Sequence, residues 1–500
     1  MRLSDILYDS EYSILSDREV MDVQIDGITS RSDEVRDGFA FVSLRGTNTD
    51  GAEFVAESVR RGARLIVSET PPAICDVPYV LVRNARRALS YMLHRFWGRA
   101  GERMRLYAVT GTNGKTSTCM YLREIFMEAG IRTGYIGTLK SMIDRERIYL
   151  GGNDDDRMST MTTPDPEQLY RILYEMEAQN VESVIIECSS HALYYDKLAP
   201  LRFRCGVFTN FSPEHLDFHS DMSSYLSAKL KLCPMSDKML LNGDDPVCDG
   251  VKNTSDIPCR TFGTSVEAYY RASDIELNGV EGVEYNCRVG RDTVHVKCNV
   301  PGRFSLYNSL AALSTAANEG IPNDAITRGI FGVERIDGRI EKLDLTGKLD
   351  GVTVVIDYAH TERALEQLLI SVCECKGDGG RIVTLFGCGG NRDRSKRAPM
   401  GAVASKYSDL VIITEDNSRD EALDSIIADI MTGIDRKKDH RIIKNRKEAL
   451  EYVIKNAIKG DIILLVGKGH ENYQIKNGKR IPFSEKQVIF ELLGKGDTEV

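Results

Sequence analysis

The chain has 500 residues, more than one hydrophobic core usually organises, so two to four domains are expected. Its hydrophobic content of 42% is that of a globular protein, and no apolar run approaches the ~18 residues that a membrane span needs. A net charge of −9 argues against general nucleic-acid binding, and the opening Met1-Arg2-Leu3-Ser4-Asp5 lacks a basic-then-apolar signal, so a cytoplasmic location is expected.

Residues 1–100 read as a small α/β unit. Asp26-Gly27-Ile28-Thr29-Ser30-Arg31 leads to a strand-like run around Phe39-Ala40-Phe41-Val42, an amphipathic helical run from Phe54 to Arg61, and the strand-like Ala63 to Val67.

Residues 101–338 open with Leu106-Tyr107-Ala108-Val109, a buried strand by its composition, then Thr110-Gly111-Thr112-Asn113-Gly114-Lys115-Thr116-Ser117, then a helical run to about Ala129. Glycines at such a turn let backbone N–H groups approach phosphate oxygens, and the helix N-terminus adds a positive dipole. Lys115 can neutralise the outer phosphates and Thr116 can ligate magnesium, so the segment predicts a nucleoside triphosphate site, shortened by one glycine at Val109. A second apolar strand, Val184-Ile185-Ile186, ends in Glu187, where an acid can hold magnesium or its water shell. A third is expected around Gly206 to Thr209. His215 and His219, four apart in Pro213 to His219, would share one face of a helix, though nothing nearby completes a zinc set. Thr162-Thr163-Pro164 is a polar turn able to touch substrate, and Asn153-Asp154-Asp155-Asp156 reads as a solvated acidic loop. The twelve cysteines form no C-x-x-C pair, and Cys188, Cys205 and Cys388 lie in strand-like runs, as reduced core thiols would.

Residues 339–500 repeat one scheme. Strand-like runs Val352–Ile356, Arg381–Phe386, Leu410–Thr414 and Ile462–Val466 each run into a polar cluster, at 357–360, 387–393, 415–419 and 467–471. Alternating strands and helices predict a mainly parallel sheet whose ligands gather at the strand carboxyl ends.

In order, Gly111 to Thr116, Thr162-Thr163-Pro164, Glu187-Cys188-Ser189-Ser190-His191, Phe208-Thr209-Asn210, Glu214 to His219, Ala228-Lys229, Asn308 to Ala312, Asp357 to Thr361 and Gly467 to Glu471 resemble the Mur ligases. The resemblance covers essentially the whole chain. It implies an α/β fold of three domains: a unit binding a uridine nucleotide (1–100), a central P-loop ATPase (101–338) and a Rossmann-like amino-acid-binding domain (339–500). It also implies a monomer that joins a diamino acid to a UDP-N-acetylmuramoyl-dipeptide, using ATP and Mg2+ and passing through an acyl phosphate.

Site residues follow from the same resemblance. Gly111, Thr112, Asn113, Gly114, Lys115, Thr116 and Ser117 would hold the triphosphate, with Asn308, Arg339 and Asp357 completing the nucleotide site. Thr116, Glu187 and His215 would surround magnesium. Lys229, a surface helix lysine by its local sequence, matches the family's carbamylated lysine, an anion made from CO2 that helps bind a second magnesium. Ser30, Thr162, Thr163 and Ser189 match contacts to the uridine substrate, and Lys197 stands, with Tyr195, where the family often has arginine and a polar residue. Arg392, Asp416, Asn417, Arg419, Gly467 and Glu471 would meet the amino acid. The family's diaminopimelate signature is Asp-Asn-Pro-Arg, and Asp416-Asn417-Ser418-Arg419 keeps the arginine, favouring meso-diaminopimelate over lysine. A lysine-adding or paralogous ligase, and a non-catalytic ATP switch in which these arginines are surface charges, are the readings left open.

Overall fold

The computed structural model describes the chain except residues 8–11, 15–21, 47–49, 72–75, 151–160, 255, 344, 346–348, 377–378 and 495–500. The acidic run 153–156 therefore lies outside the described residues.

Three sheets follow one another along the chain. The first joins β1 (Tyr12–Ile14), β2 (Gly27–Thr29), β3 (Phe39–Val42), β4 (Leu65–Ser68) and β5 (Tyr79–Val82) in the order β1-β5-β4-β3-β2, with only β1 antiparallel. Helix Ala85–Phe96, capped by the Asn84 side chain accepting from the Arg87 N–H, connects it to the next unit. That helix carries one continuous apolar core across the junction, from Leu3 and Val67 through Leu89 and Leu93 to Leu169 and Leu173.

The central sheet contains β6 (Arg105–Thr110), β7 (Thr133–Ile136), β8 (Met142–Ile143), β9 (Glu146–Arg147), β10 (Ser183–Glu187), β11 (Cys205–Phe208), β12 (Met239–Asn242), β13 (Cys259–Gly263), β14 (Tyr270–Leu277), β15 (Val283–Val289) and β16 (Asp292–Cys298). Their order is β16-β15-β14-β13-β12-β11-β6-β10-β7-β8-β9. Strands β6, β7, β10, β11, β12 and β13 run parallel, and all but the half-exposed β13 are buried almost throughout, as their apolar runs require. The chain passes from β6 to one side (β7, β10) and then to the other (β11), so the order reverses at β6 and a crevice opens at its carboxyl end. The antiparallel β14–β16 come from 270–298, to which the sequence reading assigns nothing, although Asp292–Cys298 alternates exposed and buried.

The third sheet has the order β17-β18-β22-β19-β20-β21, from β17 (Glu341–Lys342), β18 (Thr353–Asp357), β19 (Ile382–Phe386), β20 (Leu410–Ile413), β21 (Asp439–Ile442) and β22 (Ile462–Val466). All pairs but β17–β18 are parallel. The four polar clusters expected at strand ends follow β18, β19, β20 and β22. A small hairpin, β23 (Tyr473–Lys476) and β24 (Lys479–Pro482), lies beside them. Cys188, Cys205 and Cys388 are buried thiols, as expected.

No described helix is long and apolar enough to cross a membrane. One local expectation fails. The segment from Pro213 to Ser220 is a turn, not a helix, because the backbone reverses at His215 (φ 57°). His219 points elsewhere, its Nε2 lying 3.1 Å from Ser190 Oγ.

Candidate active site

The loop after β6 needs its glycines. Gly111 (φ 144°) and Gly114 (φ 84°) occupy the left-handed half of backbone space, and a Cβ on either would collide with Thr209 Oγ1 or Asn308 Oδ1. The strand end Thr209-Asn210 braces the loop: Asn113 N–H donates to Asn210 Oδ1 (2.9 Å) and Thr209 Oγ1 to Asn113 O (2.6 Å). Helix Lys115–Glu128 starts at the next residue, so its unsatisfied N–H groups and its dipole face the loop.

Lys115 donates to the carbonyls of Gly111 (2.9 Å) and Thr112 (2.8 Å), and burial lowers its pKa. Lys229 is 1% exposed. The surface reading of this lysine is therefore wrong: helix Met222–Leu230 turns Tyr225 and Lys229, four apart, onto its buried face. Lys229 Nζ donates to Gly111 O at 2.8 Å, and among the described residues no carboxylate is within ion-pair distance of it. Burial, then the charge of Lys115, drives its pKa far down. Such surroundings favour the neutral amine over the ammonium.

Glu187, fully buried at the end of β10, accepts from Thr116 Oγ1 (3.0 Å), Thr138 Oγ1 (3.1 Å), Thr138 N–H (3.1 Å) and the Tyr135 hydroxyl. All four donors are neutral, so the carboxylate keeps its negative charge without an ion pair, and with the Thr116 hydroxyl it offers hard oxygen ligands of the kind magnesium takes. His215 lies edge-on to His191 with ring centres 5.0 Å apart, and burial pulls its pKa down to about 3, which keeps the ring neutral with one nitrogen free of a proton. Its neighbour Glu214, unassigned from sequence, ties the central sheet to the third one: His360 Nε2 lies 3.0 Å from its carboxylate. Burial pushes that carboxyl up, but the His360 hydrogen bond and the charge of Lys115 help to outweigh it and hold it low.

Beside the loop is a cavity of about 350 Å3 lined by Gly114, Ser117, Asn308, Arg339 and Asp357, among others. Asp357 accepts from the Ile340 (2.8 Å) and Ala359 (2.7 Å) N–H groups. Arg339 stacks over Tyr358 at 4.9 Å, and its buried Nε has no hydrogen-bond partner. A donor buried without an acceptor fits an anionic or purine ligand.

A second pocket, about 200 Å3, lies between the first and central sheets and is lined by Ser30, Arg86, Tyr195 and Lys197 among others. Ser30 bonds Glu167 through both N–H (3.0 Å) and Oγ (2.6 Å). Lys197 pairs with Asp165 at 2.7 Å, and Arg86 lies 4.1 Å above the Tyr195 ring. Thr163 and Ser189 bond each other near Glu187, with Thr163 Oγ1 donating to Glu187 O (2.7 Å), and Thr162 meets Thr138 at 3.3 Å.

The third site gathers at β20 and β22. Asn417 Nδ2 donates to Glu471 Oε2 (2.8 Å), and the wholly buried Lys468 donates to Asp416, Asn417 and Glu471. Burial raises the Asp416 pKa, yet Lys468 and Arg446 hold the carboxyl below its usual range. Gly467 (φ 108°) leaves Asp416 Oδ2 room that a Cβ would take. Arg419 sits at φ 53°, strained for an arginine and held there because its backbone bonds Ile475 O (2.9 Å) and the Asn477 N–H (2.7 Å) of the hairpin. Its guanidinium donates to Gly390 O (2.9 Å) and Asn417 O (3.3 Å) but meets no carboxylate among the described residues. Burial and then Arg392, itself exposed, lower its pKa. Ser418, in proline's place, still turns the chain, its carbonyl accepting from the Glu421 N–H at 3.0 Å.

Sequence reasoning passed over Glu214, His360, Arg86 and Lys468. Glu214, His360 and Lys468 stand inside motifs it singled out, whereas Arg86 lies in a helix it did not read; the signal for Lys468 was its place between two strand-end glycines.

Residues 109–316 match the Mur ligase middle domain and 338–469 the Mur ligase, glutamate ligase domain. The chain is 33% identical over 494 residues to UDP-N-acetylmuramoyl-L-alanyl-D-glutamate--2,6-diaminopimelate ligase 1 of Clostridium acetobutylicum, covering 99% of each. It is 37% identical over 480 residues to the ligase of that name, without the numeral, from Aquifex aeolicus, covering 94% of each. A solved UDP-N-acetylmuramoyl-L-alanyl-D-glutamate--2,6-diaminopimelate ligase superposes with a TM-score of 0.69 at 27% identity, covering 99% of each chain. The MurF ligase of Thermotoga maritima in complex with ADP shares the fold at a TM-score of 0.62 and 16% identity, covering 95% of this chain and 98% of that one. The chain belongs to the Mur ligase family of ATP-dependent ligases.

Proposed function

We propose that this chain adds meso-diaminopimelate to UDP-N-acetylmuramoyl-L-alanyl-D-glutamate in peptidoglycan precursor synthesis, releasing ADP and phosphate. The observation that carries the reading is Arg419, a half-buried guanidinium with no carboxylate partner among the described residues, within electrostatic reach of the carboxylates of Asp416 and Glu471. Such a site fits one zwitterionic end of a diamino acid, its carboxylate on Arg419 and its ammonium on the acids. Arg392, Asn417, Ser418 and Gly467 shape that cage.

Residues 1–100 would grip the uridine nucleotide with Ser30 and Lys197, residues 101–338 would bind ATP, and residues 339–500 would receive the amino acid. Thr162, Thr163 and Ser189 would guide the dipeptide toward the phosphate loop. Gly111 to Ser117 cradle the triphosphate, and Asn308, Arg339 and Asp357 hold the nucleoside. The γ-carboxylate of D-glutamate attacks the γ-phosphorus, ADP leaves, and the incoming amine then displaces phosphate from the acyl phosphate and loses its proton. Lys115 would bear on the charge of the transferring group. Bound at Thr116, Glu187 and His215, magnesium would neutralise phosphate and carboxylate charge. Burial favours the amine form of Lys229, which can add CO2 and lose a proton, becoming an anion where the unmodified side chain gives none. The buried thiols favour the cytoplasm, and a monomer suffices for the site.

The test is ADP release by purified protein with each substrate omitted in turn. Release that requires both the nucleotide-dipeptide and diaminopimelate supports the reading. Release with ATP alone favours a switch.

A further inference from the structure

We propose that Lys468 is the positioning residue of the diamino-acid cage, fixing three of its side chains and setting its charge. The inference rests on the acceptor reading just given. An ammonium has three N–H donors, and Lys468 has three acceptors: Glu471 Oε2 at 2.9 Å, Asn417 Oδ1 at 3.1 Å and Asp416 Oδ1 at 3.3 Å. Its side chain is 0% exposed, so it has neither a donor nor a surface left for a ligand. It acts through its partners.

The geometry shows how. Asn417 Oδ1 also accepts from the Ile475 N–H (2.9 Å), while its Nδ2 donates to Glu471 Oε2 (2.8 Å), so the amide has one permitted orientation. One oxygen of each carboxylate is drawn to Lys468. The others are left at the cage, Asp416 Oδ2 against Gly467 and Glu471 Oε1 3.4 Å from the Tyr473 hydroxyl. Two carboxylates and one ammonium leave a single negative charge, which stands beside the positive charge of Arg419. That pair matches one ammonium and one carboxylate. Without Lys468 the two buried acids would repel, and the cage would lose both its shape and its charge match.

A lysine that merely stabilised the loop would leave the relative KM values of the substrates alone. The experiment is steady-state kinetics of the full chain carrying K468M, alone and with E471Q, varying ATP, the nucleotide-dipeptide and the amino acid in turn. Loss of the charge-assisted contacts should raise the amino-acid KM about tenfold or more, with the other two KM values within about twofold. Adding E471Q removes the repulsion and should recover part of that loss. An unchanged amino-acid KM, an equal rise for all three substrates, no recovery in the double variant, or failure of both variants to fold would overturn the proposal. The KM is measured for whichever amino acid the wild type uses. A wild type that prefers lysine therefore sinks the diaminopimelate reading and leaves this test standing.

Discussion

Lys115 and Lys229 direct their amino groups at the same atom, the carbonyl oxygen of Gly111, at 2.9 and 2.8 Å. Two ammonium groups sharing one acceptor in a buried site repel, and burial penalises both charges. Glu214 and Glu187 act on Lys115 to favour its cation, whereas Lys229 has Lys115 as its strongest charged neighbour and is driven well down. Burial pulls both down, but the acids beside Lys115 favour its cation, which suits phosphate, while the charge of Lys115 favours the amine form of Lys229, which suits CO2.

That division makes Lys115→Ala informative. Phosphoryl transfer loses the charge facing it, so kcat for ADP formation should fall by about a thousandfold or more. Because the cation is buried, its removal should leave thermal stability within a few degrees of wild type. Turnover near the wild-type rate in a folded, ATP-saturated variant would exclude this loop as the active site.

Lys229→Ala should be nearly inactive and partly rescued by acetate or formate, small anions that can occupy the space of a carbamate. Stripping CO2 from the wild type should lower activity reversibly. Activity unaffected by either treatment would reduce Lys229 to a buried hydrogen-bond donor on Gly111.

These two lysines also mark how far sequence reaches. The phosphate loop was legible because glycine, lysine and threonine at a strand-to-helix turn have few other uses, and β10 because Val184-Ile185-Ile186 can be covered only from both faces. Burial of Lys229 was not legible in its local sequence, since a lysine in a helix is ordinarily solvated and only its place in the family pattern pointed to a role in the site. The His215–His219 spacing misled, because a positive φ at His215 breaks the periodicity on which helix arguments depend. Lys468 was hidden for a further reason: its three partners follow β20 and β22, strands far apart in the chain that the sheet order sets either side of β19.

His470 predicts an acid limit to stability. Burial, followed by the charge of Arg339, pulls its pKa down to about 4, and its buried Nδ1 has no partner. Between pH ~6.5 and 4 the unfolded chain binds a proton that the folded one refuses, so stability falls as pH drops through that window. With partial solvent screening the loss should be on the order of 2 kcal/mol. Denaturant titrations from pH 7 to 4 should show it, and His470→Gln should flatten the slope. An equal slope in the variant would assign the acid sensitivity elsewhere.

Arg419 should decide the choice of acceptor. Its guanidinium is half-buried, anchored on one side to Gly390 O and Asn417 O, and faces no carboxylate among the described residues. Diaminopimelate brings a distal carboxylate to that cation and lysine does not. A charge-assisted contact in such a site contributes about 1.5–3 kcal/mol. At about 1.4 kcal/mol per decade, this gives roughly ten- to hundredfold selectivity, with the upper end favoured because lysine would leave the guanidinium unpaired. Arg419→Ala keeps a Cβ at φ 53° and so leaves the backbone strain as it is, and it does not touch the acids, so the fold should persist. Its kcat/KM should fall far more for diaminopimelate than for lysine, narrowing the gap between them. Equal losses for the two amino acids, or a wild type that prefers lysine, would mean that Ser418 and its neighbours have shaped this cage for another acceptor.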